Sequence, residues 1–350
     1  MARADKLPPK LPPVTIIIEW ENALDVYDEW VDKAMAALQR ELESVQGKIA
    51  AKPRVTYLYD DKTVDPEVIR KTIARAAPRL PELAELEIEP APGLTYYKLK
   101  NYGVSRSKTE ITVMVDSDAG PQPGWLENIL KPFQDPEIMV AGGFTVLGYN
   151  DLLSRTMALS WIFDLPEERS ATVKRHKVHV NNCAVRTEFF KRNPFPDLGP
   201  GVFKKSCGFW LRDLDARGHK YVRTAEAMTV HAPHPGVKFL VWRAWTGGKD
   251  RDYLVFQEYT RNRLGRAAMT AGFGLKKIGR AWKRIVTKGG KVDLPVWQRP
   301  AAMALAAGFY LITATAGVTS ALTRSFEPLP ERPKRQRSHT KRVTEVAKTA

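Results

Sequence analysis

Three apolar runs, each closed by acidic residues, restrict the folds open to this chain. They are VTIIIEW (residues 14–20), RVTYLYDD (54–61) and ITVMVDSD (111–118). Near-continuous apolar runs of this length are what strands buried on both faces show, and such strands occur in parallel sheets covered by helices. Helical patterns separate them. Residues 24–45 place Val26, Trp30, Ala34 and Leu38 at i+4 steps, one apolar stripe along a helix. Residues 65–76 predict a second helix capped by Asp65, 86–89 a short strand, 101–107 a helix start, and 138–146 a further strand. This alternation predicts an α/β fold with a mixed, mostly parallel sheet flanked by helices. Ligands of such sheets bind at the carboxyl ends of the strands. Asp60, Asp61, Asp116 and Asp118 all fall at such ends.

The pair Asp116 and Asp118 needs an offsetting charge. Two carboxylates at the tip of a buried strand repel one another and lose solvation. Spaced by one residue and followed by the turn-forming AGPQPGW, both can face one Mg²⁺ or Mn²⁺ whose remaining positions are filled by water and phosphate. Such an ion neutralises a diphosphate and makes it a better leaving group.

The second half is less regular. Residues 178–186 predict a strand, 194–203 a loop rich in breakers, 209–216 a short helix stopped by Gly218, and 221–231 a segment running into the loop HAPHPG. Gly247-Gly248 suggests another loop, in which Arg243, Lys249 and Arg251 either close over a diphosphate or face solvent. Beyond about residue 274, Leu275, Ile278, Trp282 and Ile285 share one helical face, with Lys276, Lys277, Arg280, Lys283 and Arg284 around the rest. A basic amphipathic helix suits an anionic membrane surface. Residues 301–323 then carry no charge and are long enough to span hydrocarbon, but their Ala, Gly and Thr content makes them only mildly apolar, and basic flanks on both sides fit a re-entrant or surface-lying segment better than a single span; the alternative is an Ala-rich helix packed on the rest of the protein. Residues 1–13 read as a polar, Pro-rich disordered arm and 324–350 as a disordered basic tail.

The net charge of +16 implies an anionic partner. Because the basic residues gather beside an apolar segment, and no base-reading motif appears, a membrane surface is the expected partner and nucleic acid is not. Cys183 and Cys207 give neither a disulfide framework nor a zinc spacing, and MARADKLPPKLPP lacks the apolar core of a secretory leader. The expected location is the cytoplasmic side of the membrane, peripheral or held by one C-terminal segment.

The stretch DSDAGPQPGWLENILKPFQDPEIMVAGG resembles the central segment of family 2 glycosyltransferases, whose nucleotide-diphospho-sugar-binding fold is termed GT-A. VTIIIEWENA, YLYDDKTVD, GLTYYKLKNYGVSRSKTE, NNCAVRTEFFKRNPFP and LRDLDARGHKYVRTAEAMTVH follow the family's order from residue 14 to 250. The resemblance implies a glycosyltransferase domain over 14–250, a helical membrane-associating extension over 251–323, and transfer of a sugar from a nucleotide-sugar to an acceptor hydroxyl with inversion. The acceptor expected beside a membrane is a lipid-linked or cell-envelope glycan.

Carried over by position, Asp118 is the main metal ligand, and Asp116 binds ribose, metal, or both. Asp60 or Asp61 receives the base, Lys100 and Asn101 lie near base and ribose, and His231, or less directly His234, supplies a further metal or diphosphate contact. Two departures stand out. Glu19-Trp20-Glu21 replaces a small or Pro-containing turn, and the family's Glu-Asp, whose Asp is the general base, falls on Ser206 and Cys207. Asp213, Asp215 and Asp197 are the remaining candidates for that base. Without one, the chain reads instead as a GT-A-like nucleotide-sugar-binding or scaffold protein that no longer turns over.

Overall fold

A computed structural model describes residues 10–169, 178–199 and 201–329. In chain order the elements are β1 (Val14–Glu19), α1 (Asp28–Ser44), β2 (Arg54–Tyr59), α2 (Pro66–Ala76), the single turn α3 (Leu80–Leu83), β3 (Glu85–Pro90), α4 (Tyr96–Arg106) and β4 (Ile111–Asp116). They continue with β5 (Ala119–Pro121), α5 (Trp125–Leu130), β6 (Ile138–Leu147), α6 (Leu152–Ser160), β7 (Asn182–Arg186), α7 (Thr187–Arg192), α8 (Ser206–Ala216) and β8 (Lys220–His231). Three long helices follow: α9 (Val237–Glu258), α10 (Arg263–Lys288) and α11 (Arg299–Thr323).

The eight strands form one mixed sheet in the order β3-β2-β1-β4-β7-β6-β8-β5. β3, β2, β1 and β4 run parallel, β7 opposes both its neighbours, β8 runs with β6, and β5 opposes β8. Period-2 alternation explains why these strands are apolar throughout. Ile16, Ile18, Val113 and Val115 face α1, α2 and α5 in one core, whereas Ile17, Leu58 and Met114 face α4, α7 and α8 in another. Asp65 caps α2 as expected, accepting from the Glu67 amide at 2.9 Å.

The carboxyl edge collects the ends of β1, β2 and β4 and, through β6 and β8, His231. Register fixes the neighbours: Glu19 lies opposite Asp116, and His231 opposite both Ala119 and Leu147. α4 packs so closely that a Cβ on Gly103 would sit 2.7 Å from Leu58 and 2.9 Å from Ile17. That approach carries Lys100 in over the strand ends.

Several expectations are corrected. The region around Gly247-Gly248 is the middle of α9, not a loop. Gly248 is required by contact: a Cβ there would lie 2.2 Å from the Thr313 carbonyl oxygen of α11. Arg243, Lys249 and Arg251 therefore project from a helix. The apolar face expected on α10 divides. Ile285 is buried against α11 with Ala281, while Leu275 and Trp282 are exposed with Val286. A charged core ties the three helices: Arg266 grips Asp252 through two bonds of 2.8 and 2.7 Å, and Ser320 donates to the same carboxylate at 2.7 Å.

The arm and the tail are more ordered at their inner ends than composition predicts. Leu11 is buried and pairs with the 48–50 backbone. Phe326 packs on Tyr253 and Phe256, and Leu329 donates its amide to Gln257. Residues 1–9 and 330–350 of those two segments lie outside the described residues.

Candidate metal and nucleotide site

At the carboxyl edge, Asp118 is wholly buried, and among the described residues neither of its side-chain oxygens has a hydrogen-bond partner. His231 and His234 face it, with Nε2 at 3.4 and 3.6 Å from Oδ2. One ligand atom from each of the three residues lies within 4.8 Å of the others. Both rings are oriented by backbone carbonyls that can only accept: Nδ1 of His231 gives its proton to Ala232 at 2.8 Å, and Nδ1 of His234 to Asp25 at 3.2 Å. That tautomer leaves each Nε2 with a lone pair directed at the carboxylate. Burial pulls His234 down to about 3, so its imidazole is neutral at pH 7, and pushes Asp118 up to about 6 against the opposing pull of His231. Three electron-pair donors converging in a buried place require either a proton on Asp118 or a cation among them. The donor set, two imidazoles and a carboxylate, fits a divalent metal ion.

Asp116 is held differently. Burial alone would raise it, but Lys100 and Lys204 outweigh burial and keep it below the ordinary carboxylate value. Lys100, itself fully buried, places Nζ 2.6 Å from Oδ1. The Tyr96 hydroxyl donates at 2.8 Å and Asn22 Nδ2 at 3.1 Å, both to Oδ2. Asp116, for which the resemblance implies ribose, metal, or both, gives its oxygens to these three groups in this structure, and Asp118 faces the histidines. Beside it Glu19 is buried, with one oxygen unpartnered, and burial raises it well above the usual carboxylate value.

The turn after the acids is fixed from below. Glu41 of α1 accepts the amides of Gly124 and Leu126, each at 2.9 Å. A cavity of about 650 Å³ opens above the two histidines and Asp116. Tyr96, Tyr97 and Asn22 line it near Asp116. Lys205, Cys207 and Gly208 at the start of α8 also line it, with Arg243 of α9 and Arg280 of α10.

Other expected site residues lie elsewhere. Asp60 accepts the amides of Lys62 and Gly93, Asp61 is exposed beside it, and both stand at the same sheet edge but outside the cavity lining. Both ends of the Asn101 amide are used by the Phe195 backbone, at 2.9 and 3.0 Å, so Asn101 ties down a loop and does not line the cavity. None of the three base candidates lines it either. Asp213 pairs with Arg217, Asp215 is exposed, and Asp197 pairs with Lys98 at 2.8 Å on the surface. Cys207 does line the cavity, but burial pushes its thiol up to about 12 and it donates to the Val178 carbonyl. His234, Tyr96 and Asn22 carry more of the site than their sequence signals suggested; the H-x-x-H spacing of HAPHPG was the one clue to His234.

No protein-family model matches the chain, and no curated protein matches it. Among solved structures, a mannosyltransferase from Pyrobaculum calidifontis in complex with GDP-Man and Mn²⁺ aligns over 89% of both chains at 15% identity, with a TM-score of 0.52. A mycobacterial protein aligns over 70% of this chain and 74% of its own, at 14% identity and a TM-score of 0.44. With its strand order and this likeness, the chain has a GT-A-like α/β fold.

Proposed function

We propose that this protein is a metal-dependent glycosyltransferase that takes a sugar from a nucleotide-sugar and passes it, with inversion, to an acceptor presented at a membrane surface. The observation that carries this reading is the convergence of Asp118, His231 and His234 beneath the cavity at the carboxyl edge. A divalent cation bound by these three supplies positive charge for the leaving diphosphate. Two imidazole nitrogens favour Mn²⁺ over Mg²⁺, whose preference is for oxygen. Lys204, its Nζ 3.1 Å over the Tyr96 ring and close to Asp116, adds a second positive charge on the donor side. Asp116 keeps its negative charge through Lys100 and accepts hydrogen bonds from Tyr96 and Asn22, which orders the wall against which a ribose would lie.

Membrane apposition is supported by the stretch Val296–Thr323, which contains α11: its most apolar eighteen-residue window has a mean hydropathy of 1.7 and is only 28% buried. Exposed Trp282, Val286, Val296 and Trp297 lie along α10 and the approach to α11. Amphipathic surfaces of this kind, beside lysine and arginine, suit an anionic interface.

Calorimetric titration of the full chain with GDP and UDP, with and without Mn²⁺, tests the donor side. GDP-mannose is the first donor to assay for hydrolysis, because the fold neighbour binds it. Metal-dependent nucleotide binding should vanish in Asp118→Ala and weaken at least about tenfold in His234→Ala. Unchanged affinity in Asp118→Ala would refute the metal assignment. Metal-dependent binding without any turnover would favour a scaffold role.

A further inference from the structure

A metal ion and a ribose wall hold a nucleoside diphosphate as well as a nucleotide-sugar, so some other group must recognise the sugar. A pyranose carries hydroxyls around its rim and C–H bonds on its faces. Those hydrogens are slightly positive and an aromatic ring is negative over its face, so the two stack, and the apolar area taken from water adds to the attraction. Six aromatic side chains besides the histidines line the cavity: Tyr96, Tyr97, Trp161, Phe163, Phe239 and Trp242. Lys204 stands over the Tyr96 ring at 3.1 Å, the His234 imidazole stacks on Phe239 at 3.7 Å, and Tyr97 and Phe163 are buried. Trp242 packs against Phe203 and Phe239. Trp161 is half-buried and is set against the metal centre itself, its indole edge-on to the His231 imidazole with centroids 6.4 Å apart.

The position of Trp161 suits the sugar end of the donor. Ribose and sugar hang from opposite ends of the diphosphate. With the ribose against Asp116 at the end of β4, the sugar end lies toward β6 and β8, two and three places across the sheet. His231 closes β8 opposite Leu147 of β6, and Trp161 closes α6, the helix that follows β6. The fold also holds the indole in place from both sides. Asp151 caps the start of α6, accepting the Ser154 amide at 2.7 Å, and the Ser160 carbonyl at its end accepts the Tyr310 hydroxyl of α11. Beyond the indole, Phe163 and Leu165 are buried, and Asp164 pairs with Arg223 of β8 at 3.1 Å. The ring is thus set before any ligand arrives. Arg243, its guanidinium 5.9 Å from the indole centroid, brings hydrogen-bond donors for hydroxyl oxygens to the same place.

We propose that Trp161 is the platform on which the donor's sugar stacks, and that the donor is a nucleotide-activated pyranose presenting a C–H face to the indole. The inference rests on the transferase reading above and assigns the sugar end of the same site. Trp161 binds and orients the sugar and takes no part in making or breaking bonds. It also separates substrate from product. Once the sugar has moved, the nucleoside diphosphate no longer carries the group that the indole holds, so the spent nucleotide is bound less tightly at this end than the donor was.

The test is calorimetric titration of the full chain in Mn²⁺, comparing each nucleotide-sugar with its own nucleoside diphosphate: GDP-mannose with GDP, and UDP-glucose with UDP. For the pair that the parent chain binds, Trp161→Leu and Trp161→Ala should each weaken the nucleotide-sugar about tenfold and leave the nucleoside diphosphate unchanged. Trp161→Phe keeps a ring face and should lose at most about threefold. Leucine preserves most of the packing on α6, and its unchanged nucleoside diphosphate affinity reports an intact fold. Unchanged nucleotide-sugar affinity in Trp161→Leu overturns the proposal. Equal losses for nucleotide-sugar and nucleoside diphosphate overturn it as well, because the ring would then act through His231 and the ion. Equal affinities in Trp161→Leu and Trp161→Phe would remove the stacking part. Failure of the parent chain to bind either nucleoside diphosphate with Mn²⁺ would instead sink the donor reading.

Discussion

Lys100→Met isolates what the buried ion pair does for this fold. The two side chains are 0% and 3% exposed, with Nζ 2.6 Å from the carboxylate. At an effective dielectric near 20 that separation corresponds to an attraction of about 6 kcal/mol. Desolvating the lysine offsets part of it, and the net cost of removing one partner of such a pair is about 3–5 kcal/mol, because a charge is left behind in the interior. Methionine preserves most of the volume, so the loss is electrostatic rather than a cavity. The deficit should also depend on pH. Asp116 is held below its unfolded value, so its contribution is present above pH 4 and is lost as the pH falls through its folded value. The gap between parent and variant should therefore narrow in acid. Denaturant midpoints at pH 7 and at low pH measure both effects. Adding Asp116→Asn to the variant should restore most of the loss, since no unpaired charge remains. A single-variant cost below about 1 kcal/mol, or a double variant as unstable as the two single losses added together, would refute the reasoning.

Other outcomes follow from contacts already described. Gly248→Ala pushes a methyl group into the α11 backbone and should cost about 1–3 kcal/mol. Gly279→Ala, in the interior of α10 with open space around it, should stabilise by about 0.5–1 kcal/mol; thermal midpoints of the pair check both. Cys207→Ser should leave turnover within about threefold, because the thiol is held neutral and a hydroxyl can make the same bond to Val178; a large loss in a folded variant would make the thiol a participant. Burial lowers Lys205 to about 8 despite the nearby Asp250. Its charge is present below that pH and lost above it, so the cavity's affinity for sulfate, a dianion throughout this range, should fall between pH 7 and 9, and Lys205→Met should flatten that dependence in calorimetric titrations.

The first half of the fold was legible because both cores are written into the strands. Ile16, Ile17 and Ile18 are apolar on successive positions because the sheet is covered on both sides, and a run of that kind has few other readings. The carboxyl-edge acids could be placed from strand ends alone. Their roles could not, because the partner of a buried carboxylate comes from elsewhere in the chain: Asp116 is held by Lys100, Tyr96 and Asn22, and Asp118 faces histidines more than a hundred residues downstream. Asn101 shows the same limit, because an amide bound to a loop backbone leaves the same trace in sequence as one that binds a ligand. The Gly-Gly pair in α9 was read as a breaker, yet its second glycine serves the approach of another helix, a constraint that lies in α11 and not in the local sequence. The apolar residues of α10 follow one periodicity but serve two surroundings, which a single helical wheel cannot separate.

The ladder between β5 and β8 has a consequence for how this centre tolerates change. Ala119 pairs with His231, and the Ala232 amide bonds to the Asp118 carbonyl at 2.7 Å, so main-chain bonds set the spacing of an acid and an imidazole that are remote in sequence. Side chains around them can drift over evolutionary time without moving either ligand. A one-residue slip of that short edge strand would be far more damaging, since it turns every side chain to the opposite face and parts the carboxylate from both rings.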